Sequence, residues 1–470
     1  MKQENPFRKN QDITVSIDGM TGEGQGVAHL DGVAFFVPDT IPEETVSAHI
    51  IKVEKRYCVA KMTELLEPSE HRVQPRCEAF TACGGCTMQH MTYAEQLAQK
   101  RGFVEDAIKH LGGLQNVEVL PVLGMDDPWR YRNKGSFPFG SVDDSTAFGF
   151  YAPRSHRLIP LHDCPIQDAR ITELARQIAA WANKYNIPVY DESTGKGCLR
   201  ACMIRVTSDG KRMAVVVTKG KLPHETELID RLSEVDSLYH NRNDADTNVV
   251  LGNSFRLLKG EPTLYEVQNG LSFAVSPQSF LQVNPMQTER LYRTAIDFLD
   301  PKPEETVVDL YCGIGTITLR IAKSVRQAIG IEIVPEAVED AKANAVRNGI
   351  ANAAFLCDKA ESALPALLQK GIKPDAIVLD PPRKGCEPAV LEAIAASNAR
   401  RIVYVSCNPA TLARDLKLLA EQGFSVEKVQ PVDMFPQTAH VETVCCLYRQ
   451  KKDFISVPHE SNNADYLKNR

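Results

Sequence analysis

The carboxyl-terminal part of the chain predicts an α/β fold, a doubly wound parallel sheet of the Rossmann type. Short apolar runs of strand length alternate with segments of helical periodicity, and they cover residues 306–310, 327–333, 353–357, 375–379 and 401–406. A glycine-rich turn follows the first of these strands directly, where such sheets place a ligand. A further strand at 441–448, after a long loop, is expected to join the sheet antiparallel to the others.

Two other domains are expected to precede this sheet, which we place at residues 271–453. Residues 5–64 predict an OB-like β-barrel, because short strands there are separated by turns rich in glycine and proline. Such barrels often bind single-stranded nucleic acid, and a structural module without a ligand is the alternative. Residues 66–270 predict a mixed α+β domain with an amphipathic helix at 93–111, and residues 454–470 predict a polar tail.

The composition of the chain limits its partners and its location. The 470 residues carry a net charge of −6, which argues against a general polyanion binder, although a local basic groove would suffice. No apolar run approaches the length of a membrane span, and the polar first residues lack a signal-peptide core, so a cytoplasmic location is expected. The 13 cysteines are then reduced core residues, metal ligands or nucleophiles.

A basic and aromatic stretch at residues 127–139 is the candidate nucleic-acid contact of the central domain. Arg130, Arg132 and Lys134 are interleaved with aromatic residues, and on a strand these three side chains would share one face. Phosphate contacts beside stacking rings suit single-stranded nucleic acid. A solvated edge strand is the alternative interpretation.

The turn after the first strand of the sheet predicts a site for a nucleoside-like cofactor. Asp309 lies at the end of that strand, and the glycines that follow let the backbone approach a ligand closely. Glu332 ends the next strand, where a carboxylate can accept hydrogen bonds from ribose hydroxyls, and Asp358 at the end of the third could reach an adenine edge. The turn lacks the dinucleotide fingerprint, so no pyrophosphate is required. The alternative is an α/β domain that binds no nucleotide.

Cys407 is the strongest candidate for a reacting group. It lies between the end of a buried strand and a helix for which Asn408 is a good N-cap and Pro409 a good first residue. A helix N-terminus favours the thiolate, so we expect a lowered pKa for this thiol. Most cysteines are inert core residues, and Cys445 and Cys446 are expected to be so.

Two acidic residues stand where they could join Cys407. Asp380 opens the loop 380–385, in which two prolines hold the backbone rigid at the ligand edge of the sheet. It could accept a hydrogen bond from a base or a cofactor, or it could simply cap a helix. Glu442, at the start of the last strand, could be a base in the same pocket or a surface charge.

A group of cysteines in the central domain predicts a metal site. Cys77, Cys83 and Cys86 lie close together around two glycines, and Cys164 is a natural fourth ligand. Spacing alone does not separate a zinc ion from an iron–sulfur cluster. Free thiols, the remaining alternative, would be unusual for three cysteines so close in sequence.

Four motifs of the last domain together resemble the RNA uracil-5-methyltransferase family. They are Asp-Leu-Tyr-Cys-Gly-Ile-Gly (309–315), Asp-Pro-Pro-Arg-Lys-Gly (380–385), Ser-Cys-Asn-Pro-Ala-Thr-Leu-Ala-Arg-Asp (406–415) and His-Val-Glu-Thr-Val (440–444). The first domain is similar to a TRAM domain, an RNA-binding β-barrel. The resemblance implies a class I methyltransferase domain that uses S-adenosylmethionine.

The resemblance also implies roles for individual residues. Cys407 would be the nucleophile that adds to carbon 6 of uracil, which makes carbon 5 enolate-like so that it can attack the activated methyl group. Glu442 would be the base that removes the carbon 5 proton before the thiolate leaves. The cofactor-binding positions that the resemblance implies are Gln282, Tyr311, Glu332 and Asp380.

One branch of this family, acting on large-subunit ribosomal RNA, carries a [4Fe–4S] cluster on the cysteine pattern found here. The tRNA-modifying branch generally lacks both the cluster and the TRAM domain. The resemblance therefore favours 23S rRNA or its precursor as the substrate, with a cluster of structural or RNA-positioning role. Its ligands would be Cys77, Cys83, Cys86 and Cys164. We also expect a monomer.

Three rival interpretations fit parts of the sequence. An enzyme that methylates an amino group would need an aromatic residue after the prolines, where Arg383 stands, and would not need Cys407. A non-catalytic RNA-binding or iron–sulfur assembly protein would not need intact cofactor and thiol motifs. A radical mechanism would require a C-x3-C-x2-C spacing, which the cysteine group lacks.

Overall fold

The structure is a computed structural model that describes residues 5–246 and 249–450. The predicted polar tail at 454–470 lies outside the described residues. No helix in the described part of the chain combines the length and the apolar character that a membrane crossing needs.

The amino-terminal domain is a closed five-stranded barrel, as the sequence predicts. Buried and exposed side chains alternate along β1, β3 and β4, so Phe35, Val46 and Ile50 are fully buried inside it. The strand order is β1-β2-β3-β5-β4, and β1 pairs with β4 to close the barrel. The strands are β1 (Asp12–Met20), β2 (Gly26–Leu30), β3 (Val33–Val37), β4 (Thr45–Val53) and β5 (Tyr57–Glu67).

The central domain begins with helices and continues as a seven-stranded sheet of order β12-β11-β10-β9-β6-β7-β8. The helix predicted at 93–111 is present, with a π-helical last turn at Ala107–Leu111. Helix α3 covers one face of the sheet and buries Trp181 completely. The elements are α1 (Phe80–Cys83), α2 (Tyr93–Asp106), β6 (Lys134–Val142), β7 (Ser145–Tyr151), β8 (Leu158–Pro160), α3 (Ala169–Lys184), β9 (Leu199–Val206), β10 (Arg212–Thr218), α4 (Glu225–Arg231), β11 (Ser237–Arg242) and β12 (Ser254–Gly260).

A hairpin of β13 (Leu264–Gln268) and β14 (Leu271–Val275) leads into the last domain, and the predicted boundary at 270/271 falls in its turn. The last domain is a seven-stranded sheet of order β17-β16-β15-β18-β19-β21-β20, in which the five predicted strands pair in parallel. Its elements are α5 (Pro285–Leu299), β15 (Thr306–Leu310), α6 (Thr316–Ala322), β16 (Gln327–Glu332), α7 (Pro335–Arg347), β17 (Ala353–Cys357), α8 (Ala360–Gln369), β18 (Ala376–Leu379), α9 (Pro388–Ala396), β19 (Arg401–Ser406), α10 (Pro409–Glu421), β20 (Phe424–Val432) and β21 (Glu442–Arg449).

The sheet ends with two antiparallel strands where the sequence predicted one strand after a long loop. β21 pairs antiparallel with β19, as expected, and also with β20. β20 lies at the edge of the sheet, contains Pro431 and has a register shift between Val426 and Lys428. A proline and a bulge are tolerated on edge strands, and they weaken the alternating pattern by which a strand is predicted from sequence.

Candidate active site

Cys407 lies at the strand-to-helix corner that the sequence predicts. It follows β19 directly, and Asn408 caps helix α10 by accepting a hydrogen bond from the Ala410 amide at 3.0 Å. Pro409 occupies the first turn of that helix. The half-buried thiol therefore stands at the carboxyl edge of the parallel sheet, where α/β proteins bind their ligands.

Glu442 lies beside Cys407 at the same edge. The antiparallel register pairs Ser406 with Thr443, Cys407 and Glu442 are the adjoining residues, and the charge of Glu442 acts on the Cys407 thiol. Glu442 is 3% exposed, and within the described residues its side chain makes no hydrogen bond. Burial and the neighbouring Asp380 raise the pKa of Glu442 to about 8, against a smaller opposing effect of Arg383.

The pKa of the Cys407 thiol is raised, so the expectation of a lowered value is wrong for the ligand-free protein. Burial is the largest cause, and the carboxylates of Glu442 and Asp380 add to it, which brings the pKa to about 11. Arg383 and a backbone hydrogen bond at Cys407 lower the pKa of the thiol, but by less than the other causes raise it. The helix N-terminus was visible in the sequence, whereas the two carboxylates that outweigh it come together only in the fold.

The loop after β18 is fastened to the start of helix α10. The hydroxyl of Thr411 donates to the carbonyl of Arg383 at 3.2 Å, and the buried Asp415 accepts from the amide of Cys386 at 2.8 Å. Gly385 adopts φ +77° between these contacts. The attachment holds Asp380 and Arg383 at the edge of the sheet next to Cys407.

Three carboxylates surround the glycine turn after β15. Burial raises the pKa of Asp309 to about 7, and one of its carboxylate oxygens, Oδ1, has no hydrogen-bond partner among the described residues. Burial likewise raises the pKa of Asp380 to about 7. Glu332 accepts hydrogen bonds from the amide of Gly313 at 3.1 Å and from that of Val334 at 2.9 Å. The fold thus concentrates negative charge in a place suited to a cationic, nucleoside-like ligand.

Three further residues were predicted to bind the cofactor: Tyr311 lies in this turn, Asp358 lies at the same edge of the sheet, and Gln282 follows Leu281, which packs against Cys312 and Ile314 of the turn. Tyr311 adopts φ +65°, an uncommon backbone conformation for a non-glycine residue that is often found at functional sites. Gln282 is buried, and its side chain forms no hydrogen bond to a described residue. Asp358 is exposed, and its amide donates to the carbonyl of Glu332 at 3.1 Å, so it lies at the same edge.

The four predicted metal-binding cysteines line one cavity of about 390 Å³ in the central domain. They are near enough to influence each other, since the charges of Cys164, Cys83 and Cys77 add to burial in raising the pKa of Cys86 to about 12. Among the described residues no group is close enough to hold a single metal ion. Zinc needs its four ligands at about 2.3 Å from one point, whereas an iron–sulfur cluster spreads its thiolates around a larger body. Four thiols that line one cavity are the kind of donor set that a [4Fe–4S] cluster uses.

The basic stretch has a different geometry from the one predicted. β6 begins at Lys134, so the expectation that three basic side chains share one strand face is wrong. Arg130 has φ +53° and forms an ion pair with Asp163. Arg132 lies over the ring of Phe435, with 5.9 Å between guanidinium carbon and ring centroid, and Lys134 lines the cysteine cavity. Burial and two neighbouring arginines lower the pKa of Lys134 to about 8.

The sequence interpretation missed two features of this site. Arg383 was noted only for standing after the prolines, yet it is the cation that opposes the raised pKa values of both Cys407 and Glu442. The loop between β20 and β21, residues 433–441, was treated as a plain connection, yet it is buried and held by the central domain. Its buried polar residues Asp433 and Gln437 were the available signal.

Comparisons with known proteins identify the relatives of this chain. A family model described as tRNA (Uracil-5-)-methyltransferase matches residues 263–450, and the TRAM domain model matches residues 6–63. A protein of Clostridium tetani named as an RNA methyltransferase is 46% identical over 460 residues, which cover 96% of this chain and 100% of that protein. A protein of the same name from Halalkalibacterium halodurans is 43% identical over 452 residues, 95% and 99% of the two chains.

A solved structure shares the whole architecture. Pyrococcus abyssi tRNA (uracil-54, C5)-methyltransferase, in complex with S-adenosyl-L-homocysteine, superimposes with a TM-score of 0.74 at 25% identity. The match covers 93% of this chain and 100% of that one.

The Rossmann-type sheet with its acidic glycine turn defines an S-adenosylmethionine-dependent RNA methyltransferase, and the amino-terminal barrel is a TRAM domain. More narrowly, the chain belongs to the RNA uracil-5-methyltransferase family.

Proposed function

We propose that the protein methylates carbon 5 of a uridine in 23S rRNA or its precursor, through a covalent bond between the Cys407 sulfur and carbon 6 of the uracil. The observation that carries the proposal is the position of Cys407 beside Glu442 at the ligand edge, next to the acidic glycine turn. A thiol and a buried carboxylate side by side supply the two groups that this chemistry requires.

The residues act in sequence on one base. The Cys407 thiolate adds to carbon 6, the electron pair moves to make carbon 5 nucleophilic, and carbon 5 takes up the methyl group. Glu442 in its carboxylate form then accepts the proton of carbon 5, and the electron pair released restores the 5,6 double bond as the carbon–sulfur bond breaks. The target base must leave its stack to enter this edge of the sheet.

Bound S-adenosylmethionine supplies the methyl group from a positively charged sulfonium. We propose that Gln282, Tyr311, Glu332 and Asp380 hold it, because Tyr311, Glu332 and Asp380 border the glycine turn after β15 and Leu281, next to Gln282, packs against that turn. The partly unsatisfied, buried carboxylates there fit a cation, and a cation beside them would favour their charged forms.

We propose that Cys77, Cys83, Cys86 and Cys164 hold a [4Fe–4S] cluster of structural or RNA-positioning role. Their common cavity and the mutual influence of the thiols support this assignment. The remaining cavity wall includes Arg132 and Lys134, so the cluster segment borders candidate RNA contacts.

RNA contacts are proposed for Arg130, Arg132 and Lys134 together with the TRAM barrel. Lys134 is the best supported of the three, since the charged neighbours acting on it are both cations, which favours an incoming phosphate. Arg130 already has Asp163 as a partner. We further propose a cytoplasmic monomer, which fits the 13 free cysteines.

A second candidate substrate is a uridine in tRNA. The Pyrococcus abyssi protein named for tRNA uracil-54 matches this chain over 93% of its length, so the shared architecture does not by itself favour ribosomal RNA.

The test is methyl transfer from labelled S-adenosylmethionine to 23S rRNA and to tRNA transcripts from the same organism. We expect 5-methyluridine in the ribosomal transcript with the wild-type protein, and none with Cys407→Ala, which should also form no covalent RNA adduct. Methyl transfer to tRNA alone would show that tRNA, and not 23S rRNA, is the substrate. Undiminished transfer by Cys407→Ala would refute the covalent mechanism.

A further inference from the structure

We propose that Thr87 is a positioning residue that makes the placement of Glu442 depend on the cysteine-rich segment of the central domain. The inference rests on the proposed function only in treating Glu442 as the base and in assigning a cluster to the neighbouring cysteines. It concerns a junction of three domains around the β20–β21 loop, residues 433–441.

The β20–β21 loop connects Val432 to Glu442, and these two residues pair across the two strands. Glu442 follows this loop directly, and its side chain has no hydrogen bond to a described residue that could hold it in place. The loop is buried over most of its length, with Met434, Gln437 and Val441 each at most 2% exposed. The backbone of Glu442 is therefore constrained by its pairing with Val432 and by this buried loop.

The cysteine-rich segment holds this loop by three hydrogen bonds close to Cys86. The amides of Thr87 and Met88 both donate to the carbonyl of Gln437, at 3.1 and 3.0 Å. In return, the amide of Ala439 donates to the hydroxyl oxygen of Thr87 at 3.1 Å. Gln437 adopts φ +70°, a conformation that a non-glycine residue keeps only when its surroundings impose it.

Two further contacts confine the same junction. Gln96 of helix α2 forms two hydrogen bonds with Gln437, both of 3.0 Å. The side-chain oxygen of Gln96 accepts from the backbone amide of Gln437, and the side-chain nitrogen of Gln96 donates to the side-chain oxygen of Gln437. The turn of the TRAM barrel closes over the other side, because a Cβ atom on Gly24 would lie 2.9 Å from the Thr87 hydroxyl and 3.4 Å from Ala439. The loop has little room to adopt a second position while Thr87 stays in place.

A short path of covalent bonds and one hydrogen bond connects the cysteine-rich segment to Glu442. Cys86 is bonded to Thr87, Thr87 is hydrogen-bonded to Ala439, and Glu442 stands three residues further on. A cluster that holds Cys86 in place also holds the amides of Thr87 and Met88, which donate to the loop, and the hydroxyl of Thr87, which accepts from it. Without it, residues 86–88 lose that anchor, and Glu442 shifts relative to Cys407. The step that suffers is removal of the carbon 5 proton, after the methyl group has arrived.

The experiment compares hydrogen exchange of peptides from the β20–β21 loop in the intact protein and in Thr87→Val, both with cluster content matched by iron and sulfide analysis. Valine keeps the shape of threonine but removes the acceptor for Ala439. We expect about fivefold or faster exchange at Ala439 and its neighbours, the effect of losing one hydrogen bond. Thr87→Ser, which retains the hydroxyl, should exchange like the wild type.

A second comparison uses protein from which a chelator has removed the iron. We expect its loop peptides to exchange as fast as those of Thr87→Val, while peptides from β19 remain protected. In single-turnover reactions with RNA, Thr87→Val should accumulate covalent adduct, whereas Thr87→Ser should release methylated RNA normally.

Equal exchange of the loop in wild-type, Thr87→Val and iron-free protein would overturn the inference, as would the absence of iron and sulfide from the freshly purified protein. Because exchange is measured without RNA or cofactor, coupled exchange together with absent methyl transfer would leave the positioning role standing and refute the proposed function instead.

Discussion

The buried carboxylates around Cys407 are the most unusual feature of this site at the scale of single residues. Asp309, Asp380 and Glu442 all have raised pKa values, and burial is the largest cause in each case. A protein does not gain stability from such an arrangement, so its presence indicates a site prepared for a positively charged ligand. Burial of these carboxylates lowers the stability of the ligand-free protein when they are charged. The free energy of unfolding should therefore depend on pH.

Glu442→Gln should stabilise the ligand-free protein at alkaline pH. The pKa of Glu442 is about 8 in the folded protein and near its ordinary value of 4.5 when unfolded. The folded state therefore binds more protons between these values, and the free energy of unfolding falls as the pH rises through them. Glutamine does not titrate, so Glu442→Gln should melt at a higher temperature than the wild type. We expect this difference to be small near pH 4.5 and largest above pH 8.

The control for this pH series is Glu427→Gln, which changes an exposed glutamate on β20. It should leave the melting temperature within the scatter of the wild type at every pH. A pH profile for Glu442→Gln parallel to that of the wild type would show that Glu442 keeps an ordinary pKa in the folded protein.

The same substitution should trap a reaction intermediate. Glutamine cannot accept the carbon 5 proton, so methylated RNA should stay bonded to the Cys407 sulfur and migrate with the protein on a denaturing gel. Cys407→Ala/Glu442→Gln should show no such band. If Glu442→Gln alone turns over and releases 5-methyluridine at the wild-type rate, another group is the base.

At the scale of secondary-structure elements, the site depends on the attachment of the loop after β18 to helix α10. Gly385 is the tightest point of this attachment, with φ +77°. A Cβ atom there would lie 2.6 Å from both an Arg414 nitrogen and an Asp415 oxygen. A larger residue must displace the loop or these two side chains, and the buried Asp415 is the one that holds the amide of Cys386.

Gly385→Ala should therefore lower the rate of methyl transfer by tenfold or more, because a displacement of about 1 Å in a reacting group can cost that much. Gly371→Ala is the matched control, since Gly371 also has a positive φ, +83°, but a Cβ atom added there would have no neighbour within 4 Å. Both variants suffer the backbone strain, of roughly 1–2 kcal/mol, and only Gly385→Ala also displaces the site. Equal rates for the two variants would contradict this role of the loop.

The elements also show what sequence can predict. β15, β17 and β19 were predicted to the residue. β15 and β19 are buried parallel strands, which are mostly apolar along their length, and β17 is a short apolar run at the edge of the sheet. The cap at Asn408 and the position of Cys407 followed from local rules of the same kind. β20 was missed because Pro431 and a bulge interrupt its pattern.

Long-range electrostatics could not be predicted in this way. The pKa of Cys407 is determined by Glu442 and Asp380, which stand 35 and 27 positions away in the chain, and by burial. Arg130 lies outside strand β6 and forms an ion pair with Asp163, which is distant from it in the sequence. Both corrections arise from groups that sequence neighbours do not reveal.

At the scale of the whole molecule, the central and the methyltransferase domains meet around a buried ion pair. Lys100 of helix α2 and Asp433 of the β20–β21 loop are both fully buried, and Tyr93 donates a further hydrogen bond to Asp433 at 2.7 Å. The ammonium of Lys100 also donates to the carbonyl of Phe435 at 3.1 Å. The pair therefore fastens the central domain to the methyltransferase domain.

Lys100→Met should destabilise the protein by about 3–5 kcal/mol, the cost of leaving one member of a buried ion pair without its partner. The double variant Lys100→Met/Asp433→Asn should recover much of this loss, since asparagine is uncharged and can still accept the hydrogen bond from Tyr93. Chemical denaturation would measure both. A double variant no more stable than Lys100→Met would show that the charge of Asp433 is not the source of the cost.

The hydrogen bond between Ala439 and Thr87 joins residues 352 positions apart. At a synthesis rate of roughly 5–20 residues per second, the ribosome needs roughly 20–70 s to deliver Ala439 after Thr87 has been made. Three of the four cavity cysteines precede Thr87 in the chain, and the last, Cys164, is synthesised early in that interval. A nascent chain therefore has its complete set of thiols, and its TRAM barrel, long before Glu442 exists, so the hydrogen bonds around Thr87 are among the last contacts that the chain can form during its synthesis.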